Sequence, residues 1–299
     1  MRLGVDLGGS KIEIAGFGDD GAMLLRERVA TPRGDYVGTL QAVAALVEAA
    51  ELKVLSRRAG VTAASVGIGI PGAESRVSGL VKNANSTCLI GKPLKQDLET
   101  LLRREVRIAN DANCFALSEA VDGAGAGASV VFGVILGTGV GGGIVVDGRV
   151  LTGANAIAGE WGHNPLHGED HGEVCYCGRT ACIELYLSGP GLSKDHRRIT
   201  SADFPAAEIA QRAAAGDADC DATLKRYEAR LARALAGVIN ILDPDAIVLG
   251  GGLSNIDRLY RNVPDLWSEH VFSDQVATRL LKHRHGDSSG VRGAAWLWN

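Results

Sequence analysis

A duplicated α/β fold of two lobes is predicted from three observations. The chain has 299 residues, more than one ordinary domain needs, so each of two lobes can bury its own core. A pattern of strand, glycine-rich bend, strand, Asp-Gly turn and strand runs through residues 2–30 and starts again near residue 130. A third glycine cluster, at 250–252, follows a buried strand. The 40 glycines are about twice the ordinary share, and they gather at these places instead of scattering.

The first repeat reads as strand RLGVD (2–6), bend LGGSK (7–11), strand IEIAGFG (12–18), turn DDG (19–21) and strand AMLLRERVA (22–30). TLQAVAALVEAAEL (39–52) has helical spacing, and VTAASVGIGIPGA (61–73) is a buried strand closing on Pro-Gly. VRIA (106–109) then runs into Asn110-Asp111 and a helix. The second repeat is VVFGVIL (130–136), LGTGVGGG (136–143), IVV (144–146) and the turn DGR (147–149). DPDAIVLGGGLSNIDRLYRNV (243–263) supplies the third turn, with an Asn/Ser entry and an amphipathic helix. The expected lobes are residues 1–112, joined by a C-terminal helix over about 287–299, and residues 113–286, which contain the cysteine-rich segment 163–184.

Charge excludes several partners. Lys and Arg total 31 against 35 Asp and Glu, a net charge of −4, and no window carries the basic run that nucleic acid or an anionic membrane surface requires. The apolar runs fall short of the ~20 residues that span a bilayer. The first residues lead straight into a strand without an export pattern, so a soluble cytoplasmic protein is expected, with its cysteines as thiols or metal ligands.

The glycine bends suit a nucleotide. Glycine lets main-chain N–H groups approach phosphate oxygens without a Cβ in the way. Asp6, just before the first bend, is placed to hold Mg²⁺ directly or through water. Ser10 and Thr138 offer hydroxyls to phosphate, and Lys11 adds charge. Neither bend is a Walker loop or a dinucleotide fingerprint. A facing pair of bends implies a cleft, with the third cluster as its adenosine site. Asp111 lies at a strand-to-helix junction between the repeats, where helix-start N–H groups keep a carboxylate ionised. A base there can take the proton from a hydroxyl that attacks the γ-phosphate.

HNPLHGEDHGEVCYCGRTACIE (163–184) holds three of the six cysteines. The spacing His163-x₁₁-Cys175-x-Cys177-x₄-Cys182 suits a closed tetrahedral zinc shell, hence a structural metal with no open position for hydrolysis. His167 and His171 are rival ligands that spacing leaves open. Cys-x-Cys lacks the redox spacing. Glu160 and Glu184 bracket the segment, and carboxylates accept hydrogen bonds from vicinal hydroxyls, so a sugar pocket is expected beside the metal.

VDLGGSK, GIGIPG, ANDAN, LGTGVGGG, AGEWGHNPL, CYCGRTACIE and IVLGGG, in this order over nearly the whole chain, resemble the ROK family of bacterial sugar kinases. The resemblance implies the actin/hexokinase/Hsp70 (ribonuclease H-like, duplicated) fold with a zinc-binding loop, and a homodimer. It makes Asp111 the catalytic base, with Asn110, Glu160, His163 and Glu184 on the sugar and Gly72, Asn85 and Ser86 on its far side. Asp6, Gly8, Gly9, Ser10, Lys11, Gly137, Thr138 and Gly139 would serve the ATP phosphates and Mg²⁺. Gly250, Gly251 and Gly252 would face the adenosine, and His163, Cys175, Cys177 and Cys182 would bind zinc, with the second nitrogen of His163 left for sugar. VKNANST (81–87) and HGDSSGVRGAAWLW (285–298) look most like the family's fructokinases, so transfer to the 6-hydroxyl of fructose, and of mannose, is expected. Glucokinase and N-acetylhexosamine kinase are the alternatives.

Two positions depart from the family pattern: Ala181 replaces a glycine and Ser10 a threonine, which touches loop geometry and leaves the chemistry intact. The family's sugar-responsive repressors carry a helix-turn-helix ahead of the kinase-like part. Here the first bend begins at residue 7, so that reading, like a non-catalytic sensor, is disfavoured.

Overall fold

Both predicted repeats are present as sheets of one strand order. The computed structural model describes residues 1–55, 64–84, 86–169 and 172–298. Its chain groups into unit 1 (Met1–Asp122, Gly148–Ala158 and Asp287–Asn299) and unit 2 (Gly123–Asp147 and Gly159–Gly286).

The first repeat contains β1 (Arg2–Leu7), β2 (Lys11–Phe17), β3 (Met23–Ala30), α1 (Tyr36–Leu55), β4 (Ser65–Ile70), β5 (Ala73–Glu74), β6 (Val81–Lys82), α2 (Leu94–Leu102), β7 (Val106–Asn110) and α3 (Asp111–Val121). The second starts with β8 (Val130–Leu136), β9 (Val140–Val146) and β10 (Arg149–Val150). It continues through α4 (Glu184–Leu187), α5 (Gly189–Thr200), α6 (Ala206–Ala214) and α7 (Ala218–Leu242). It ends in β11 (Ala246–Gly250), α8 (Leu259–Trp267), β12 (Arg279–Lys282) and α9 (Ser289–Trp296).

The sheets run β3-β2-β1-β4-β7 and β10-β9-β8-β11-β12. In each, an antiparallel hairpin (β1 with β2, β8 with β9) is followed by parallel strands (β1 to β4 to β7, β8 to β11 to β12). The fold class expected from the sequence is therefore the one observed. β4 and β11 are almost wholly buried, as parallel strands covered on both faces should be. Leu3, Val5, Ile12, Ile14, Ile68 and Val106 lie in the core of unit 1. Phe132, Val134, Leu136, Tyr227, Leu231 and Leu249 lie in that of unit 2.

α9 belongs to unit 1 and packs on β1, β4 and α3. The approach is backbone to backbone. A Cβ on Gly4 would lie 1.9 Å from the Val291 carbonyl oxygen, and one on Gly67 1.8 Å from that of Ala294, so any side chain at either position forces the layers apart. Ser289 Oγ donates to Glu119 (2.8 Å), and Arg292 Nε to Asp122 (3.0 Å), fixing the helix register.

The third glycine turn departs from the expected form. The strand over 246–250 is present, but no helix opens at the glycines. A 3-10 turn over Gly252–Asn255 intervenes, and α8 begins at Leu259 with Pro264 inside it. The reason is local: Gly251 sits at φ 80° with its Cα against the Leu136 backbone, where a Cβ would come within 2.4 Å of the carbonyl oxygen. The chain must turn away before it can wind. Among the described residues, no helix is long and apolar enough to cross a membrane.

Candidate active site

Unit 1 gathers one set of the predicted residues. The β1–β2 register, Leu7 opposite Ile12, forces the bend at Gly8 to Lys11, closed by Gly8 N–H donating to the Lys11 carbonyl (3.0 Å). A cavity of about 430 Å³ opens beside it, lined in part by Asp6, Gly8, Gly9, Ser86 and Asp111. Asp111 opens α3 and is exposed, and its Oδ1 accepts the Ala112 N–H at 2.8 Å. Asn110 caps the same helix, accepting from Ala112 N–H (2.9 Å) and donating to the Gly72 carbonyl (3.2 Å). The helix start thus orients the base candidate, while Asn110 ties it to the Pro-Gly turn after β4. Ser10 and Lys11 are exposed on the bend outside the cavity wall. Asn85 lies outside the described residues.

Asp6 carries the electrostatic load of this cavity. Burial, then the charges of Asp111 and Glu13, raise its carboxyl from 3.8 to about 6. A cation would relieve that cost, and so the residues present fit a magnesium ion accompanying ATP. Without a cation, a raised folded value means that Asp6 contributes its stability below about pH 4 and loses it as pH rises through about 6. The loss is on the order of 3 kcal/mol at roughly 1.4 kcal/mol per unit. Asp6→Asn should remove this dependence: from pH 4 to 7 in metal-free buffer, wild type should lose urea stability relative to the variant. A constant difference across that range would contradict the assignment.

The cavity also shows what the motifs missed. Thr31, Pro32, Arg33, Gly34 and Thr39, from the start of α1 and the loop before it, and Thr87, Cys88 and Leu89 complete its wall. Thr31 Oγ1 donates to the Gly8 carbonyl at 2.7 Å. These are loop residues without a repeated pattern, and only the Thr-Pro punctuation after β3 marks them in sequence.

Unit 2 holds the second set. Glu184, the first residue of α4, accepts the Val140 N–H at 2.9 Å. A Cβ on Gly139 would lie 2.6 Å from Glu184 Oε2, so the second bend is glycine there because a carboxylate rests on it. Thr138 is exposed at the tip of that bend. Glu160 is exposed and directly precedes a 3-10 turn over Trp161–His163. Trp161, buried edge-on against Phe132 and donating to the Gly141 carbonyl (3.1 Å), sets that turn on β9.

The donor atoms of His163, Cys175, Cys177 and Cys182 all lie within 4.8 Å of one another. His163 Nδ1 is 3.7 Å from Cys175 Sγ, and Cys177 Sγ is 3.6 Å from Cys182 Sγ. A tetrahedral zinc shell with bonds of about 2.3 Å spaces its donors by roughly 3.5–4 Å, so this set fits the ion. Burial pushes Cys175 up and Cys182 up to about 12, whereas the Arg179 backbone N–H lowers Cys177. A metal would have to displace those protons. His167 is not part of the cluster, and His171 lies outside the described residues.

The remaining nitrogen of His163, Nε2, lies 3.0 Å from the Tyr176 hydroxyl, with the two rings edge to face. The Tyr176 ring is 77% exposed. Partial desolvation, then Glu184, Cys175 and Glu160, push the phenol up to about 12. The nitrogen expected to face sugar is thus engaged by a residue that spacing did not single out.

A further anchor was invisible in sequence. Glu169, within the cysteine-rich segment, accepts from Arg230 Nε (2.8 Å) and Nη2 (3.0 Å) and from Arg233 (2.9 Å), both on α7. Arg230 also meets Asp195 of α5 at 3.0 Å. Burial favours the neutral Asp195 acid, but Arg230, Arg226 and Arg198 outweigh it and hold the carboxyl below its usual range.

Ala181, which stands at the glycine of the family pattern, adopts φ 55°. The left-handed region costs a Cβ-bearing residue about 1–2 kcal/mol, part of which is offset by the smaller unfolded-state entropy of alanine. Ala181→Gly is therefore expected to stabilise unit 2 by about 0.5–1 kcal/mol in urea unfolding; a destabilised variant would place the strain elsewhere.

Two sheets of one strand order, with an oriented carboxylate at a helix start beside a glycine bend, define a duplicated protein of the two-sheet α/β class. The model of the ROK family matches residues 2–299, and the chain belongs to that family. It is 42% identical over 305 aligned positions to an N-acetyl-D-glucosamine kinase of Yersinia pseudotuberculosis, covering 99% of this chain and 98% of that one. The fold is similar to the crystal structure of a ROK hexokinase from Thermus thermophilus (30% identity, TM-score 0.86, 99% and 97% covered). It is also similar to a ROK glucokinase from Streptomyces griseus in complex with glucose and AMPPNP (27% identity, TM-score 0.77, 98% and 97% covered).

Proposed function

We propose that this protein is an ATP-dependent N-acetylhexosamine kinase acting on the 6-hydroxyl, with N-acetyl-D-glucosamine as its first substrate. The observation that carries the kinase reading is Asp111, held at the start of α3 and lining one cavity with Asp6 and the first glycine bend. The choice of sugar is supported by whole-length identity of 40–43% to N-acetyl-D-glucosamine kinases, which favours that alternative over fructose. One of the two features that suggested fructose speaks weakly to the sugar. Residues 289–296 form α9, which packs mainly on α3, β1 and β4, so that match reports packing.

In this reading Asp111 accepts the proton as the sugar oxygen attacks the γ-phosphorus. The family resemblance assigns Asn110, Ser86, Glu160 and Glu184 to the hexose, and His163 as well where a sugar hydroxyl replaces Tyr176 at its Nε2. The same resemblance assigns the two glycine bends, including Gly9, Ser10 and Thr138, to the ATP phosphates, and Gly250 to Gly252 to the adenosine. Asp6 would hold Mg²⁺, which supplies positive charge to the phosphates when bound. Zinc at His163, Cys175, Cys177 and Cys182 would keep residues 163–184 in shape and take no part in the reaction.

The test is a coupled ADP-release assay across N-acetylglucosamine, N-acetylmannosamine, glucose, mannose and fructose. The highest kcat/KM is expected for N-acetylglucosamine. A higher value for fructose restores the fructokinase assignment, and no ADP release with any hexose removes the kinase reading.

A further inference from the structure

The loop between β3 and α1 is built as a fixed platform. Thr31 donates twice to the first glycine bend, from Oγ1 to the Gly8 carbonyl (2.7 Å) and from its N–H to the Ser10 carbonyl (3.1 Å). Asp35 closes the other end, accepting from Gly38 N–H at 2.9 Å while its own N–H donates to the Pro32 carbonyl at 3.3 Å. Arg33 lies between these two anchors and lines the cavity that holds Asp6, Gly8, Gly9, Ser86 and Asp111. Among the described residues it is the sole cationic side chain of that wall.

Its neighbours in sequence are used differently. Arg26 and Arg28, on β3, are both spent on the buried carboxylate of Glu13. Arg33 is exposed and makes no ion pair or hydrogen bond among the described residues. A cavity with two carboxylates repels an incoming phosphoryl group unless positive charge stands opposite them. A guanidinium on a braced loop meets that need, because its planar fork matches two phosphate oxygens at once.

We propose that Arg33 contacts the transferring phosphoryl group, and afterwards the phosphate of the hexose 6-phosphate product, an inference that rests on the kinase reading above. The sugar O6 forms a bond to the γ-phosphorus as the bond from phosphorus to the ADP oxygen breaks. The O6 proton passes to Asp111, and ADP leaves with the electron pair. Arg33 donates N–H bonds to the peripheral oxygens, which stay on phosphorus throughout, so one contact serves both transition state and product.

The experiment compares wild type, Arg33→Ala and Arg33→Lys. Calorimetric titrations with N-acetylglucosamine and with its 6-phosphate are set beside kcat. For Arg33→Ala the sugar should bind as in wild type, the 6-phosphate at least about 10-fold more weakly, and kcat should fall about 100-fold. Lysine should recover part of both losses, as a point charge without the fork. Sugar and sugar phosphate weakened in equal proportion would make Arg33 a sugar contact and overturn the proposal. Unchanged phosphate affinity would overturn it as well. Wild type that binds neither ligand and releases no ADP takes down the kinase reading, and this inference with it. Since Arg33 is exposed, an unchanged melting temperature excludes misfolding as the cause of any loss.

Discussion

Replacing Asp111 with asparagine is expected to leave hexose and ATP bound and to slow turnover by about 1,000-fold, within the range that a general base contributes. Asparagine keeps the shape of the side chain and an oxygen for the Ala112 N–H, which Asp111 Oδ1 now accepts at 2.8 Å, so α3 should keep its start. Only the ability to accept a proton is lost. The position gives that loss its weight: the first turn of α3 favours an ionised carboxylate, and Asp111 shares its cavity with the glycine bend and Asp6. Titration calorimetry for both ligands and the coupled assay separate the outcomes. A variant with wild-type kcat and a raised KM would make Asp111 a binding residue and remove it as the base.

Cys177→Ser is expected to release about one zinc ion per chain and to raise the hexose KM by at least about 100-fold, beyond the 10- to 100-fold typical of losing a metal's outer partners. Cys177 is exposed, so the substitution removes a ligand with little damage to packing. The effect on sugar follows from chain geometry. Residues 163–184 are joined by few backbone bridges, Pro165 with Cys182 and Val174 with Thr180, and Glu184 lies two positions beyond the last ligand. Losing the metal should free His163 and Glu160 at one end and Glu184 at the other, while Asp111 in unit 1 keeps its own helix cap. Metal analysis and steady-state kinetics check both parts. A zinc-free variant with unchanged KM would uncouple the cluster from the sugar.

The parts of the fold and site legible in sequence were those carried by local pattern. The order of strands and bends marked the first sheet and most of the second, since antiparallel hairpins follow from short glycine turns and parallel strands need the crossover segments between them; β12 (Arg279–Lys282) carried no such mark. Asp111 was legible because a strand running into Asn-Asp and then a helical period can only place it at a helix start. The three cysteines of the cluster were legible from spacing, which left His163, His167 and His171 open as the fourth member until the fold gathered His163 with them.

What stayed hidden depends on approach between distant segments. The glycines of β9 were grouped with the nucleotide bends, yet a Cβ on Gly142 would strike the Gly159 carbonyl at 2.6 Å, and one on Gly159 that of Gly142 at 2.5 Å. They are small so that the segment bearing Glu160 can lie on the sheet. Glu169 and Arg230, 61 positions apart, and the Thr31 contact with Gly8 leave no periodic trace. Tyr176 was passed over because it stands between two ligands, where spacing arguments treat the residue as filler.

The seating of α9 sets an order of assembly during synthesis. Unit 1 carries Asp6 and Asp111, yet β1, β4 and α3 cannot be covered until Ser289–Trp296 has left the ribosome. At about 5–20 residues per second, the stretch from residue 122 to 289 takes roughly ten to thirty seconds. Over that interval the first-made sheet waits with Gly4 and Gly67 bare, while the strands and helices of unit 2 are already emerging. The half of the protein translated first is thus the half finished last, and a nascent chain stalled before α9 would present an uncovered sheet to chaperones and proteases.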